Sequence, residues 1–387
     1  MKEKSSFYHP ELDVLRFCAF LQVFYFHIGN IYISGNGLLS HHGWKTDFLA
    51  AFIKAGALGV DLFFCLSSFL ITALLLRECD LNGTLDVKQF WIRRILRIWP
   101  LYFVFLAIGA FILPHIEGLG QPLGPRYLTA YALFCGNWAC VFGGAPASPV
   151  APLWSVSIEE QFYILWPLLL FTLTPRRLVP LAVSGLIVAT ATRITLVLTG
   201  AIHSPNPVVW MNTLTRIDPI AVGALCAVAI HGRPWRPTRN TRVLLGAVGF
   251  FVPALMIFLM GGDNSLGGAG SIIFYPAIAV CCACVLGAVY HDEPIRMPTF
   301  PVYLGRISYG LYVFHMLAII TVEKMLPSNA SDGIAKLLNA FILVGATSAL
   351  TLGMAALSYR YLEQWFLKLK SRFTVIRSAP VKVTVAD

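Results

Sequence analysis

The sequence predicts an all-α fold, a polytopic membrane bundle of about ten transmembrane helices with both termini cytoplasmic. Three observations lead there. Of 387 residues, 57% are hydrophobic and only 12% charged, about half the charged share of an ordinary soluble domain. The apolar residues fall in long, nearly uncharged blocks such as 50–76, 98–114 and 335–357, and a stretch near ~20 residues is long enough to cross a bilayer. Finally, the basic residues cluster in alternate connections.

The expected spans are 12–33, 50–76, 95–114, 158–174, 178–199, 217–231, 243–260, 271–290, 306–326 and 335–358. With these ten, all but seven of the 29 Lys and Arg residues fall on one side. An eleventh candidate, 127–142, would throw the basic connections after residue 175 onto the opposite face. The preference of Lys and Arg for the cytoplasm rejects it and accounts for the net charge of +10 without nucleic acid. The charged start runs into span one with no small-residue cleavage site, so no signal peptide is expected. No internal repeat is evident. Cys135 and Cys140 lie in the long outer connection, where an oxidising compartment would let them pair. No metal-ligand spacing is present, and no metal is expected.

Charge inside hydrocarbon is unfavourable by at least ~2.5–3.5 kcal/mol per group, which makes each intramembrane ionisable residue a candidate for function. Span one carries Asp13, Arg16 and His27. Eleven residues return a helix to within about 20° of its starting direction after a rise of ~16 Å, so Arg16 and His27 share a face at different depths. Arg16 is also placed to serve as an anchor paired with Asp13. Asp61 lies about as deep in span two and would act on His27 if the two spans pack together. Its alternative is a helix cap after Gly59.

Ser157 and Glu160 in "LWSVSIEEQFYILWP" have capping-box spacing at a helix start, which gives Glu160 a structural reading. Glu159 and Tyr163 point together as i, i+4 neighbours. Trp154, Tyr163 and Trp166 read either as an interfacial aromatic belt or as a platform for a sugar ring. In "RIDPIAVGALCA", Asp218 reads as an N-cap with Pro219 as the first helical residue. Arg216 has no such local role. Span nine carries His315. At the cytoplasmic mouth of span three, "FWIRRILRIWPLYF" holds Arg93, Arg94 and Arg97 beside Trp91 and Trp99. Anchoring explains one such arginine, whereas three together suit a phosphate-bearing ligand. No Walker or dinucleotide Gly-rich loop is present.

Together these segments resemble the bacterial membrane acyltransferase-3 family, which O-acylates surface sugars and some antibiotics. The segments are "LDVLRFCAFLQVFYFH", "GVDLFFCLSSFLI", "FWIRRILRIWPLY", "LWSVSIEEQFYILWPLL", "RIDPIAVGALCA" and "RISYGLYVFH", with "YRYLEQWF" near the end. Their order and spacing are specific where each alone is weak. The resemblance implies an acyl-CoA donor, usually acetyl-CoA, and a hydroxyl acceptor on a sugar, such as a surface polysaccharide, a lipid-linked glycan or a glycosylated metabolite. It places the family's essential histidine on His27, its Arg-x-x-Arg signature on Arg94 and Arg97, and its Glu pair on Glu159 and Glu160.

The sequence departs from the family at Ser68, where Gly is usual, and this puts the packing of span two in question. No hydrolase-like domain is expected, and the chain reads as a stand-alone member. The membrane domain would run from 1 to 366, with a basic cytoplasmic tail outside the fold at 367–387. The expected location is the bacterial cytoplasmic membrane. On this reading Arg93, Arg94, Arg97 and Arg16 hold the donor. His27 acts as general base with Glu159 or Asp61, or forms an acyl-histidine. Glu160, Trp154, Tyr163, Arg216 and His315 meet the acceptor. The rival is a proton-coupled transporter or a glycan or lipid flippase, with His27, Asp61 and Glu159 as a proton relay.

The topology is testable. In a cysteine-free background, Lys88→Cys should react with an impermeant maleimide only in inside-out vesicles. Arg126→Cys should react only in intact cells. The reverse pattern would overturn the placement of the N-terminus and of the 77–97 connection in the cytoplasm.

Overall fold

The computed structural model describes residues 7–34, 44–172, 177–201, 207–261, 268–326, 333–374 and 376. Every regular element among them is helical. Helix α1 (Pro10–Ser34) opens with proline in its first turn and carries Glu11 and Asp13 there, where the positive end of the helix dipole favours them. Helix α2 (Trp44–Ala55) continues through a tight turn at Gly56–Leu58 into α3 (Gly59–Asn82), giving a 39-residue apolar rod. Gly83 stops it in a left-handed conformation, φ 72°, that a side chain would strain. Asp86 then caps α4 (Val87–Phe111) by accepting from the Gln89 N–H at 2.9 Å.

The rejected span at 127–142 forms two helices of eight residues, α5 (Pro125–Ala132) and α6 (Gly136–Gly143). Each is about 12 Å long, too short to cross a membrane. Next come α7 (Leu153–Thr172), α8 (Leu178–Leu198), the short α9 (Pro207–Trp210), α10 (Ile217–Ile230), α11 (Arg239–Leu259) and α12 (Ser271–Val289). The chain then bends by 72° between α13 (Thr299–Arg306) and α14 (Ser308–Met325). Helix α15 (Gly333–Ser358) passes through a wide π turn at Tyr359–Glu363 into α16 (Gln364–Lys370).

By length and apolarity, eight described helices can cross a membrane, or nine if the bent pair is one span. This is fewer than the ten expected. The remaining expected span is α7, whose Glu159, Glu160 and Gln161 dilute its apolar character although it has 20 residues. Of the expected tail, residues 367–374 and 376 are described, and Ile376 is buried against the core. Residues 375 and 377–387 lie outside the described residues. Cys135 and Cys140 are separate thiols, the first exposed and the second buried beside the Tyr131 hydroxyl at 3.4 Å.

Helix α3 is the central strut and packs against α1, α7, α10 and α12. Two glycines allow the closest approaches. A side chain at Gly305 would run into the Asp13 carbonyl of α1, and one at Gly223 into the Cys65 carbonyl and Ser68 Oγ of α3. The second explains Ser68. Its hydroxyl donates to the Cys65 carbonyl at 3.0 Å, and the side chain occupies space that Gly223 leaves open. The absence of a side chain at Gly223 lets the two helices pack closely around Ser68.

Two ion pairs with almost no exposure cross this core. Arg193 of α8 donates to both Asp218 oxygens of α10, at 2.6 and 2.9 Å, and to the Thr215 carbonyl at 2.7 Å. Arg216 donates to Asp61 of α3 at 2.8 Å, and its guanidinium lies over the rings of Trp210 and Tyr275, at 4.2 and 4.8 Å from their centroids. These contacts bear on three expectations. Asp218 is not an N-cap, because α10 begins at Ile217 and the carboxylate faces Arg193. Arg216 pairs with Asp61 in the core. Asp61 is held by Arg216 and, among the described residues, makes no hydrogen bond to His27.

Breaking a buried pair leaves one uncompensated charge and destabilises by about 3–5 kcal/mol, whereas replacing both members with apolar groups is often neutral. Arg193→Leu should therefore abolish a monodisperse detergent-solubilised species, and Arg193→Leu with Asp218→Leu should restore it. Equal loss in both, by fluorescence-detected size exclusion, would refute the pairing as the cause.

Candidate active site

A cavity of about 90 Å3 opens where α1, α3, α4, α7 and α14 converge. Its basic end is built by Arg16, Arg94 and Arg97, and its walls include Phe63, Phe64, Tyr163, Tyr309 and Tyr312. One carboxylate, Glu159, projects into it. Helical phase explains the membership. Arg94 and Arg97 are three residues apart on α4 and share a face, while Arg93 is turned about 100° away.

Arg93 is engaged elsewhere. It pairs with Glu78 at 2.8 Å and donates to the Phe373 carbonyl at 2.9 Å, so it clasps the C-terminal segment to α3. It does not line the main cavity with the other two. A second, smaller pocket beside it is lined by Glu78, Arg93, Arg94 and Lys370. Arg16 serves both roles considered for it, pairing with Asp13 at 2.9 Å and lining the main cavity. Arg94 and Arg97 have no ion pair among the described residues, and the Arg94 Nε is buried without a hydrogen-bond partner.

The adjacent glutamates face different ways. Glu159 accepts from Ser67 Oγ at 2.9 Å and from the Tyr163 hydroxyl at 3.0 Å, inside the cavity. Glu160 accepts from Trp99 Nε1 at 2.9 Å against α4, and its other oxygen is buried and unpartnered. The capping box at Ser157 is not formed. Helix α7 already begins at Leu153, so Ser157 sits inside it and donates back to the Leu153 carbonyl at 3.3 Å. Trp154 packs against Trp210, with centroids 6.1 Å apart, and stays out of the cavity wall.

His27 and His315 meet from α1 and α14, their ring centroids 5.1 Å apart. Among the described residues neither Asp61 nor Glu159 hydrogen-bonds to His27. The link to the cavity is Tyr312, whose ring lines it and lies 5.4 Å from His315. Ser155 also lines the cavity and meets the Tyr312 hydroxyl at 2.7 Å. Sequence reasoning missed Ser155, Tyr309 and Tyr312 and gave Ser67 no role in this site. A signal existed for Tyr312, which stands three residues before His315 and so shares its face.

The arrangement joins a cluster of cations under-supplied with carboxylates to an aromatic passage and then to two imidazoles. It can hold a polyanion at one end and exchange a proton at the other. No group of three or more His, Cys, Asp or Glu residues able to hold a metal is found among the described residues.

Residues 9–360 match the family described as an acyltransferase domain, the acyltransferase-3 group. The chain is 28% identical to a Staphylococcus aureus protein provisionally named an O-acetyltransferase, over 95% of this chain and 58% of that one. It is 26% identical to Peptidoglycan O-acetyltransferase OatA of Listeria monocytogenes, over 92% and 55%. It is 27% identical to YrhL of Bacillus subtilis, provisionally named a peptidoglycan O-acetyltransferase, over 81% and 49%. The chain thus spans about half the length of the curated relatives it matches. No solved structure matches it.

Proposed function

The chain belongs to the acyltransferase-3 family, and from that premise we propose that it is a membrane O-acyltransferase that moves an acyl group, acetyl in the first instance, from acyl-CoA to a sugar hydroxyl. The observation that carries this reading is that Arg94 and Arg97, which make no ion pair among the described residues, line one cavity with Arg16 and Glu159. Guanidinium groups bind phosphate through paired N–H donors, and the CoA phosphates supply the missing anions. The slender pantetheine arm follows the aromatic walls toward Tyr312. The helical rise from Arg16 to His27 is ~16 Å, which suits a long flexible arm.

His27 is the general base in this scheme. It takes the proton of the acceptor hydroxyl as the oxygen attacks the thioester carbonyl. The new C–O bond forms, the C–S bond breaks, and the CoA thiolate recovers the proton from the imidazolium. Glu159, fixed by Ser67 and Tyr163, shares the cavity with the donor-binding arginines. The names of the relatives make a peptidoglycan sugar the first acceptor to offer.

The purified protein in liposomes, given acetyl-CoA and a peptidoglycan oligosaccharide, should release free CoA only when the sugar is present, as a thiol reagent reads. Acetyl-CoA left intact with every sugar acceptor tried would overturn the reading. His27→Ala should reduce turnover by at least ~100-fold with the protein still inserted. Arg94→Ala and Arg97→Ala should each raise the donor KM about 10- to 100-fold, the equivalent of losing a charge-assisted contact of ~1.5–3 kcal/mol. Unchanged donor KM in either variant would remove that arginine from the phosphate site.

A further inference from the structure

Among the described residues His315 is fully buried, yet only one of its ring nitrogens is satisfied. Its Nδ1 lies 2.5 Å from the Tyr312 carbonyl oxygen. A carbonyl oxygen can only accept, so Nδ1 carries the proton. In a neutral imidazole the other nitrogen is then a bare acceptor. That nitrogen, Nε2, is buried and has no hydrogen-bond partner among the described residues. The rings around it are Phe20, Tyr312 and His27, at centroid distances of 6.3, 5.4 and 5.1 Å. Phe20 has no donor, and the Tyr312 hydroxyl is engaged with Ser155 at 2.7 Å and the Pro152 carbonyl at 3.2 Å. Of these three neighbours, His27 alone brings a free N–H.

We propose that His315 is a positioning residue for His27: its Nε2, unpartnered among the described residues, accepts an N–H from the adjacent His27 ring after a small ring rotation and so fixes which nitrogen of His27 remains unprotonated toward the acceptor. The roles descend in one line. The backbone carbonyl of Tyr312 sets the tautomer of His315, and His315 sets the tautomer and plane of His27. A general base needs its lone pair aimed at the proton it abstracts, and a second group that holds the opposite N–H supplies that aim. A carboxylate usually takes this part. Here the two carboxylates considered for that part are otherwise held, Asp61 by Arg216 and Glu159 by Ser67 and Tyr163. A neutral imidazole does it without adding a charge to the bilayer interior. The inference rests on the acyltransferase reading for its catalytic consequence, but the hydrogen bond between the rings can be observed without it.

Two measurements separate these. The first is 15N NMR of histidine-labelled protein in liposomes, with the two rings assigned by His27→Ala and His315→Asn. An unprotonated Nε2 on His315 coupled to a protonated nitrogen of His27 is expected. A protonated His315 Nε2, or His27 signals unmoved in His315→Asn, would overturn the proposal whatever the enzyme does. The second is turnover with acetyl-CoA and the peptidoglycan oligosaccharide. In His315→Asn the amide reaches the Nδ1 position and retains the Tyr312 contact, but supplies no acceptor at Nε2. In His315→Gln the amide reaches the Nε2 position and restores an acceptor there. Turnover should fall at least 10-fold in the Asn variant with donor KM unchanged, and recover several-fold in the Gln variant. Wild-type turnover in His315→Asn, or equal loss in both variants at wild-type size-exclusion behaviour, would refute the positioning role. A wild-type protein that shows the expected NMR coupling but consumes no acetyl-CoA refutes the acyltransferase reading and leaves the histidine pairing standing.

Discussion

A charge buried in hydrocarbon must be neutralised where it stands, and the bundle is organised around two places where this is done. Arg193 with Asp218 and Arg216 with Asp61 place four charges beyond the reach of water. Each guanidinium meets its carboxylate within 2.9 Å, and Arg216 also leans on two aromatic faces. Because the partners come from α3, α8 and α10, the pairs fix how those helices sit against one another. Polar contacts of this kind need not exceed an apolar core in stability, but they allow few alternative registers.

The cavity follows the opposite rule. Arg16, Arg94 and Arg97 converge on it with Glu159 as the single carboxylate in its wall, and that carboxylate is already held by two hydroxyls. The same chain that pairs Arg193 and Arg216 with carboxylates leaves this group short of anions. The imbalance is concentrated at one end of an aromatic passage whose deeper neighbours, His315 and His27, carry no fixed charge when neutral. A site divided in this way keeps anion recognition and proton exchange apart, so each can be set by its own surroundings.

Much of this was legible in the sequence because it is local. Uninterrupted apolar blocks mark the helices, and the i, i+3 spacing of Arg94 and Arg97 separates them from Arg93 by helical phase alone. What was not legible depends on packing. Asp61 and Arg216 are 155 residues apart, and nothing near either names the other. Asp218 followed by proline looks like a helix start, but the ion pair with Arg193 takes its carboxylate. Ser157 and Glu160 have the spacing of a capping box inside a helix that began a turn earlier at Leu153. The meeting of His27 with His315 required α1 and α14 to be neighbours, which spacing within either helix cannot say. Ser68 is a further case: the departure reads as a disturbance in its own segment, and the room its side chain takes is left by Gly223 on another helix.

The π turn at Tyr359–Glu363 has the character of a counting device. A π turn holds one residue more than an α turn, so every side chain after it is rotated by about 100° from where an unbroken helix would carry it. Lys370, seven residues beyond its end, reaches the pocket shared by Arg93 and Arg94 in that rotated frame. Taking one residue out of 359–363 would leave an ordinary α turn and return the ammonium to nearly the same face, whereas drawing the same residues into α turns would swing it by about 100°. The aim of that cation therefore depends on the extra residue being absorbed within the turn.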